Sequence, residues 1–326
     1  MKQRRLLTGL FAAVGMLLLI LDAETSLRSA AEGMELCLRA VIPSLFPFFM
    51  LSGILLRSLM GIRLPLLRPL GKLLGMPEGS DSLLICGFLG GYPVGAKSVR
   101  DAWAAGHLEK ADAERLLSFC NNAGPAFLFG MAAPVFSDPY TGWILWGIHI
   151  LSALTAGILL KKEPEGRDCP TSCVSASASG GINNALSVTA QVCGWVILFR
   201  VISGFLSRWF FWLFPLWIRT ALTGFLELTN GCLLLGNVTS EQTRFVLCSG
   251  MLSFGGVCVF LQTGSAAKGL KLHLYIAGKL LQTGFAVLFS ILWLTNPRLF
   301  WLTVPAILLL GMKTRKKCGN PETVGV

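Results

Sequence analysis

Gly87-Phe-Leu-Gly-Gly-Tyr-Pro-Val-Gly-Ala-Lys97 forms the middle of an apolar stretch, residues 82 to 98, that is too interrupted to be a plain helix across a bilayer. Glycine and proline release backbone N–H and C=O groups from helical pairing. In lipid that is tolerated only where the freed backbone is buried in protein or lines a wet cavity. A second stretch of this kind, residues 215 to 237, carries Glu227-Leu-Thr-Asn-Gly231 at its centre. Both are expected to be broken helices or re-entrant hairpins, and the freed N–H groups of the first suit an anion.

The flanking sequence is that of an all-α, polytopic membrane protein. Of 326 residues, 53% are hydrophobic and 14% charged, too little charge to cover a soluble domain of this size. About 20 apolar residues are needed to cross a core of about 30 Å. Stretches that qualify are 34–56, 113–135, 141–160, 183–206, 243–263, 272–295 and 297–312. The run Leu6 to Leu21 follows a basic start and lacks a small-x-small cleavage site, so it reads as an uncleaved first helix just short of a full span.

Net charge is +11, and the basic residues sit at the ends of apolar runs, a positive-inside pattern rather than a nucleic-acid footprint. It places both termini in the cytoplasm, together with Arg57, Arg63, Arg68, Lys72, Lys161, Lys162, Lys268, Lys271 and the final Lys313, Arg315, Lys316 and Lys317. Asp22 and Glu24 fall outside. The count closes only if the two broken stretches enter from opposite faces. Residues 57–77 read as an amphipathic interfacial element.

Residues 1–326 are taken as one transmembrane domain: a first repeat over about 33–160, a cytoplasmic linker at 161–182, and a second repeat over about 183–312. Short matches recur in order between the halves. Met50 to Arg57 resembles Val201 to Arg208, Gly87 to Leu89 resembles Gly224 to Leu226, and Gly124 to Phe129 resembles Gly255 to Phe260. The charge pattern runs the copies in opposite senses, which gives two inverted repeats, the architecture of secondary transporters.

Candidate substrate-binding residues follow from polarity inside apolar stretches: Gly90, Gly91, Tyr92, Gly95 and Lys97 in the first break, and Asn121 and Asn122 in the span 113–135. Buried carboxamides must find partners, and Pro125 frees a carbonyl one turn before it. The second half adds Thr229, Asn230, Ser249 and Ser253. Glu227, a carboxylate at membrane depth, is assigned to coupling, against the simpler reading that it caps a half-helix. Lys97 stands evenly between a substrate role and a reach to the headgroups beside Arg100. Pro43, Ser44 and Pro47 are expected to kink the second helix. His107, His149 and His273 share no ligand spacing and read as interfacial or packed.

Most of the ten cysteines lie in apolar segments, and Cys169 with Cys173 makes a poor zinc site without a second pair, so no metal is expected. No Walker, G-x-S-x-G or H-E-x-x-H motif occurs, so neither catalysis nor a cofactor is expected.

Taken together, Pro43-Ser-Leu-Phe-Pro-Phe-Phe49, the run Gly87 to Lys97, Arg115-Leu-Leu-Ser-Phe-Cys-Asn-Asn-Ala-Gly-Pro125 and Glu227 to Gly231 resemble the sporulation integral membrane protein family of the YlbJ type. The resemblance covers roughly residues 43 to 294. It implies a nucleoside-recognition gate domain, relatedness to concentrative nucleoside transporters, and movement of dipicolinate across the outer, mother-cell-derived forespore membrane of an endospore former. The expected partners are a small anionic substrate and the lipid bilayer, with self-association left open and no nucleic acid. The alternatives are a nucleoside-type transporter and a non-transporting scaffold for spore maturation.

Overall fold

A computed structural model describes residues 2–59, 64–162 and 179–318, and every regular element among them is helical. Helices Ala23–Leu51, Thr141–Leu159, Ala185–Trp209, Glu241–Ala266 and His273–Thr295 are long and apolar enough to cross a membrane, as expected of an integral membrane protein.

The chain opens with α1 (Lys2–Leu21), whose apolar part, Ala12–Leu21, is shorter than a full crossing. Asp22 accepts a hydrogen bond from the Thr25 N–H and starts α2 (Ala23–Leu36). The helix therefore begins well before residue 34, where hydropathy alone placed it. It continues through a π-helical turn, Cys37–Val41, into α3 (Ile42–Leu59). Pro43 has no N–H to offer the preceding turn, and the wider turn in front of it absorbs that loss. Ser44 donates to the Ala40 carbonyl at 2.6 Å, and Pro47 lies inside α3.

Of the expected interfacial element, residues 57–59 end α3, Arg68–Leu73 form α4, and residues 60–63 lie outside the described residues. The first broken stretch is α5 (Ser82–Leu89) and α6 (Val94–Ala104), packed on each other across Gly90–Pro93. After α7 (Lys110–Leu116) the expected span 113–135 fails to form as one helix. Turns follow α7 from Leu117 to Cys120, the backbone is irregular from Asn121 to Gly124, and helix resumes at α8 (Pro125–Phe127) with a π turn, Leu128–Ala132. Pro125 supplies no N–H and Gly124 favours extended backbone, so helical pairing stops here.

α9 (Thr141–Leu159) closes the first half. Of the linker, residues 163–178 and with them Cys169 and Cys173 lie outside the described residues; α10 (Ser179–Trp209) starts within the range assigned to the linker. The second broken stretch is α11 (Leu216–Leu226) and α12 (Leu228–Leu235), which pack together across Glu227, with Gly224 against Gly231.

The expected span 243–263 is also two helices, α13 (Glu241–Phe254) and α14 (Gly256–Ala266), divided at Gly255. Gly255 adopts φ +83°, a left-handed conformation that ends a helix cheaply only for glycine. α15 (His273–Thr295) and α16 (Pro297–Cys318) complete the chain, the apolar part of α16 being Pro297–Leu309.

α15 is the central element, packed on both α9 and α13, while α10 runs along α2 and α3. Small residues allow these approaches: a Cβ on Gly278 of α15 would meet the Ser118 carbonyl oxygen at 2.5 Å. Arg200 and Arg208 of α10 pair with Glu32 and Asp22 of the α2 region, at 2.7 and 3.3 Å.

Candidate functional site

Four helix breaks converge in the core. The first break crosses the non-helical segment 121–124 so closely that a Cβ on Gly124 would lie 2.9 Å from Gly91 Cα. Tyr92 projects from the first break onto the fourth, where a Cβ on Gly255 would meet the Tyr92 ring and hydroxyl at 3.0 Å. The Tyr92 hydroxyl donates to the Leu252 carbonyl at 3.3 Å, one of the last-turn acceptors that the end of α13 leaves free.

Between the breaks lies a cavity of about 50 Å³, room for a few waters. Its lining includes Gly90, Gly91, Tyr92, Gly124, Glu227 and Thr229. Phe49, Phe127, Val259 and Gln262 supply more of the wall. Both broken stretches therefore reach one cavity.

Asn121 and Asn122 are fully buried but serve different partners. The Asn121 carbonyl oxygen accepts the Ala96 N–H at 3.2 Å, occupying a donor in the first turn of α6. Its amide donates to Thr263 Oγ1 at 2.9 Å, and Tyr275 Oη lies 3.4 Å away. The Asn122 amide donates to the Phe119 carbonyl at 2.7 Å. Its oxygen accepts from Lys279 Nζ at 3.1 Å and Gln282 Nε2 at 3.0 Å. Lys279 also donates to Tyr92 Oη at 3.1 Å and Gln282 Oε1 at 2.8 Å. The carboxamides thus tie α6 and the 121–124 segment to α14 and α15.

Glu227 is buried and its two carboxylate oxygens accept the N–H groups of Thr229 at 3.0 Å and Asn230 at 2.7 Å. This is a helix cap: the negative group sits against the positive end of α12 and satisfies two of its free donors. Asn230 is fully buried, and neither of its side-chain polar atoms has a partner among the described residues.

The other sequence-derived candidates lie elsewhere. Lys97 is 42% exposed and pairs with Asp101 at 2.6 Å, away from the cavity lining. Gly95 packs directly on the Cys120 and Asn121 backbone. Ser249 donates to the Ala286 carbonyl at 3.3 Å, and Ser253 meets His149 Nδ1 at 3.2 Å, both between α13 and its neighbours. His149 is buried in α9 with Nε2 unpartnered among the described residues, packed rather than interfacial.

The cation within reach of Asn122 is Lys279, which motif reading passed over together with Gln262, Thr263, Tyr275 and Gln282. A signal existed: Lys279 is the one Lys, Arg, Asp or Glu between Leu272 and Thr295. A charge within an apolar span is by default a functional candidate.

The chain is 25% identical over 321 residues to the sporulation integral membrane protein YlbJ of Bacillus subtilis (strain 168), a match covering 83% of this chain and 78% of that protein. It is the resemblance that the motifs carry. No family model matches the chain. No solved structure matches it.

Proposed function

We propose that this chain is a sporulation membrane protein that carries a small anionic solute, dipicolinate by its resemblance to the YlbJ type, across the outer forespore membrane. The observation that supports the reading is the cavity where both broken stretches meet, with Gly91 and Tyr92 on one side and Glu227 and Thr229 on the other. Discontinuous helices that meet at one cavity are how secondary transporters present backbone donors to a solute at mid-membrane, and here Tyr92, Glu227, Thr229 and Gln262 are the polar groups in an otherwise apolar wall. The recurring order, a broken helix pair followed by a helix divided at Gly124 or Gly255, supports two repeats of a gate-like unit, each with a re-entrant hairpin. On this reading the repeats are inverted, and Glu227 couples flux to a proton or cation.

A space of about 50 Å³ does not admit an aromatic dicarboxylate, so on this reading the described arrangement is one that has not opened for its solute. Loading requires the first break and the 121–124 segment to separate from α12 and α14. Chemistry at the site is confined to binding: we read the chain as non-enzymatic and without cofactor.

The narrow cavity favours one other reading, a non-transporting scaffold for spore maturation. Purified protein in liposomes distinguishes them. Flux of dipicolinate above that of protein-free liposomes, with uridine excluded, is the expected result. Uridine flux would select the nucleoside-type alternative, and flux of neither by folded protein would select the scaffold.

A further inference from the structure

A second pocket, about 230 Å³ in volume, opens between α14 and α15. Phe254, Val257, Phe260, Tyr275 and Ile276 line it, and Lys279 is its only charged lining residue. Val257 and Ile276 are exposed on the apolar exterior of the bundle, whereas Lys279 is 3% exposed. The pocket therefore runs from the outer apolar surface to the buried side chain of Lys279. α14 separates it from the first cavity, which Val259 and Gln262 line.

The ammonium of Lys279 has no ion pair among the described residues. Its hydrogen bonds go to the neutral oxygens of Tyr92, Asn122 and Gln282. The rings of Tyr92 and Tyr275, with centroids at 5.0 and 5.8 Å, solvate the charge without neutralising it. These bonds use all three ammonium donors, so an anion binds by displacing one neutral oxygen, an exchange that favours the charged partner when the site is buried. Apolar cavities of about 150 Å³ hold a benzene ring, so the pocket has room for a ring or a short acyl segment. One cation sets the valence: a second carboxylate among these aromatic walls would be buried uncompensated.

We propose that Lys279 anchors a monocarboxylate with an apolar or aromatic body, which enters from the side between α14 and α15. This site is distinct from the cavity at the helix breaks and does not depend on the transport reading.

Calorimetry on the full chain in nanodiscs tests it, with benzoate as the aqueous probe and oleate as the membrane-dissolved one. Benzoate should bind, and terephthalate, the same ring with a second charge, should bind less well. Lys279→Met should weaken benzoate by about tenfold or more. Ile276→Trp, which fills the pocket and keeps the lysine, should do the same while leaving thermal unfolding near the parent. Competition by oleate would identify a ligand drawn from the bilayer, and benzoate binding alone would identify an aqueous one. No binding of either acid to the parent, terephthalate tighter than benzoate, or an undiminished benzoate affinity in Ile276→Trp overturns the proposal. Benzoate binding without dipicolinate flux leaves this site standing and removes the transport reading; flux without benzoate binding does the reverse.

Discussion

Gly91 and Gly124 bring two helix breaks into backbone contact: a Cβ on Gly124 would stand 2.9 Å from Gly91 Cα and 3.1 Å from its nitrogen. The cavity lies beside this crossing, so its shape depends on the absence of two side chains.

Gly124→Ala should therefore destabilise the protein by about 1 to 3 kcal/mol, the usual cost of overpacking a rigid contact. Gly147→Ala is the control, because Gly147 sits exposed in α9 with nothing within 4 Å of its would-be Cβ. There the gain in helix propensity should stabilise by up to about 1 kcal/mol. Thermal unfolding in detergent reads both; equal shifts would remove the crossing from the stability of the fold.

Glu227 caps α12 with both carboxylate oxygens. Glu227→Gln retains one acceptor and Glu227→Ala none, so the alanine variant should be less stable by about 1 to 2 kcal/mol. In liposomes Glu227→Gln should leave solute affinity near the parent and flatten the dependence of flux on pH or cation. Parental pH and cation profiles in a stable Glu227→Gln protein would take coupling away from this residue.

Asn121 links α6 to α14 through its carboxamide. Asn121→Ala strands the Ala96 N–H and should cost about 1 to 3 kcal/mol in stability. Solute binding, measured at a temperature where the variant stays folded, should weaken as well, because Asn121 holds the segment whose Ala123 and Gly124 line the cavity. A variant with parental unfolding temperature and affinity would contradict both expectations.

Two acidic residues separate buried from surface pairing. Arg115 is 3% exposed, lies 3.2 Å from Asp112 and donates to the carbonyls of Leu74 and Gly75. Asp112→Ala leaves that guanidinium buried beside neutral oxygens and should destabilise by about 3 to 5 kcal/mol. Asp101→Ala, which releases the half-exposed Lys97, should cost less than about 1 kcal/mol. Similar losses from the two substitutions would refute the contrast.

The charge pattern predicts that the segment 161–182 and the C-terminus are cytoplasmic. An impermeant maleimide applied to intact cells should leave Cys173 and Cys318 unlabelled and should label both after permeabilisation. Labelling of either from outside would reverse the topology.

How much of this was legible beforehand follows the range of each interaction. The breaks at 90–93 and at Glu227 were readable, because Gly, Pro and a lone carboxylate interrupt apolar runs within a few residues. The break at 121–124 was misread as helix although Gly124 and Pro125 stood in plain view, because hydropathy over the whole run outweighed two local breakers. Gly255 was hidden for the same reason. Lys97 to Asp101 is an i to i+4 pair and was visible in principle.

The sequence by itself determined the membrane class, the helical secondary structure of most spans and the breaks at 90–93 and at Glu227, since hydrophobic length and backbone permissiveness are local properties. Only the tertiary structure decided that Asn122 meets Lys279, 157 residues away, and that Asn121 meets Thr263, 142 residues away. It also decided that the lysine of the first break faces outward while the lysine of α15 faces in. No local pattern encodes these pairings. They arise because buried polar groups must find partners, and which partners are in reach is settled by how the helices pack.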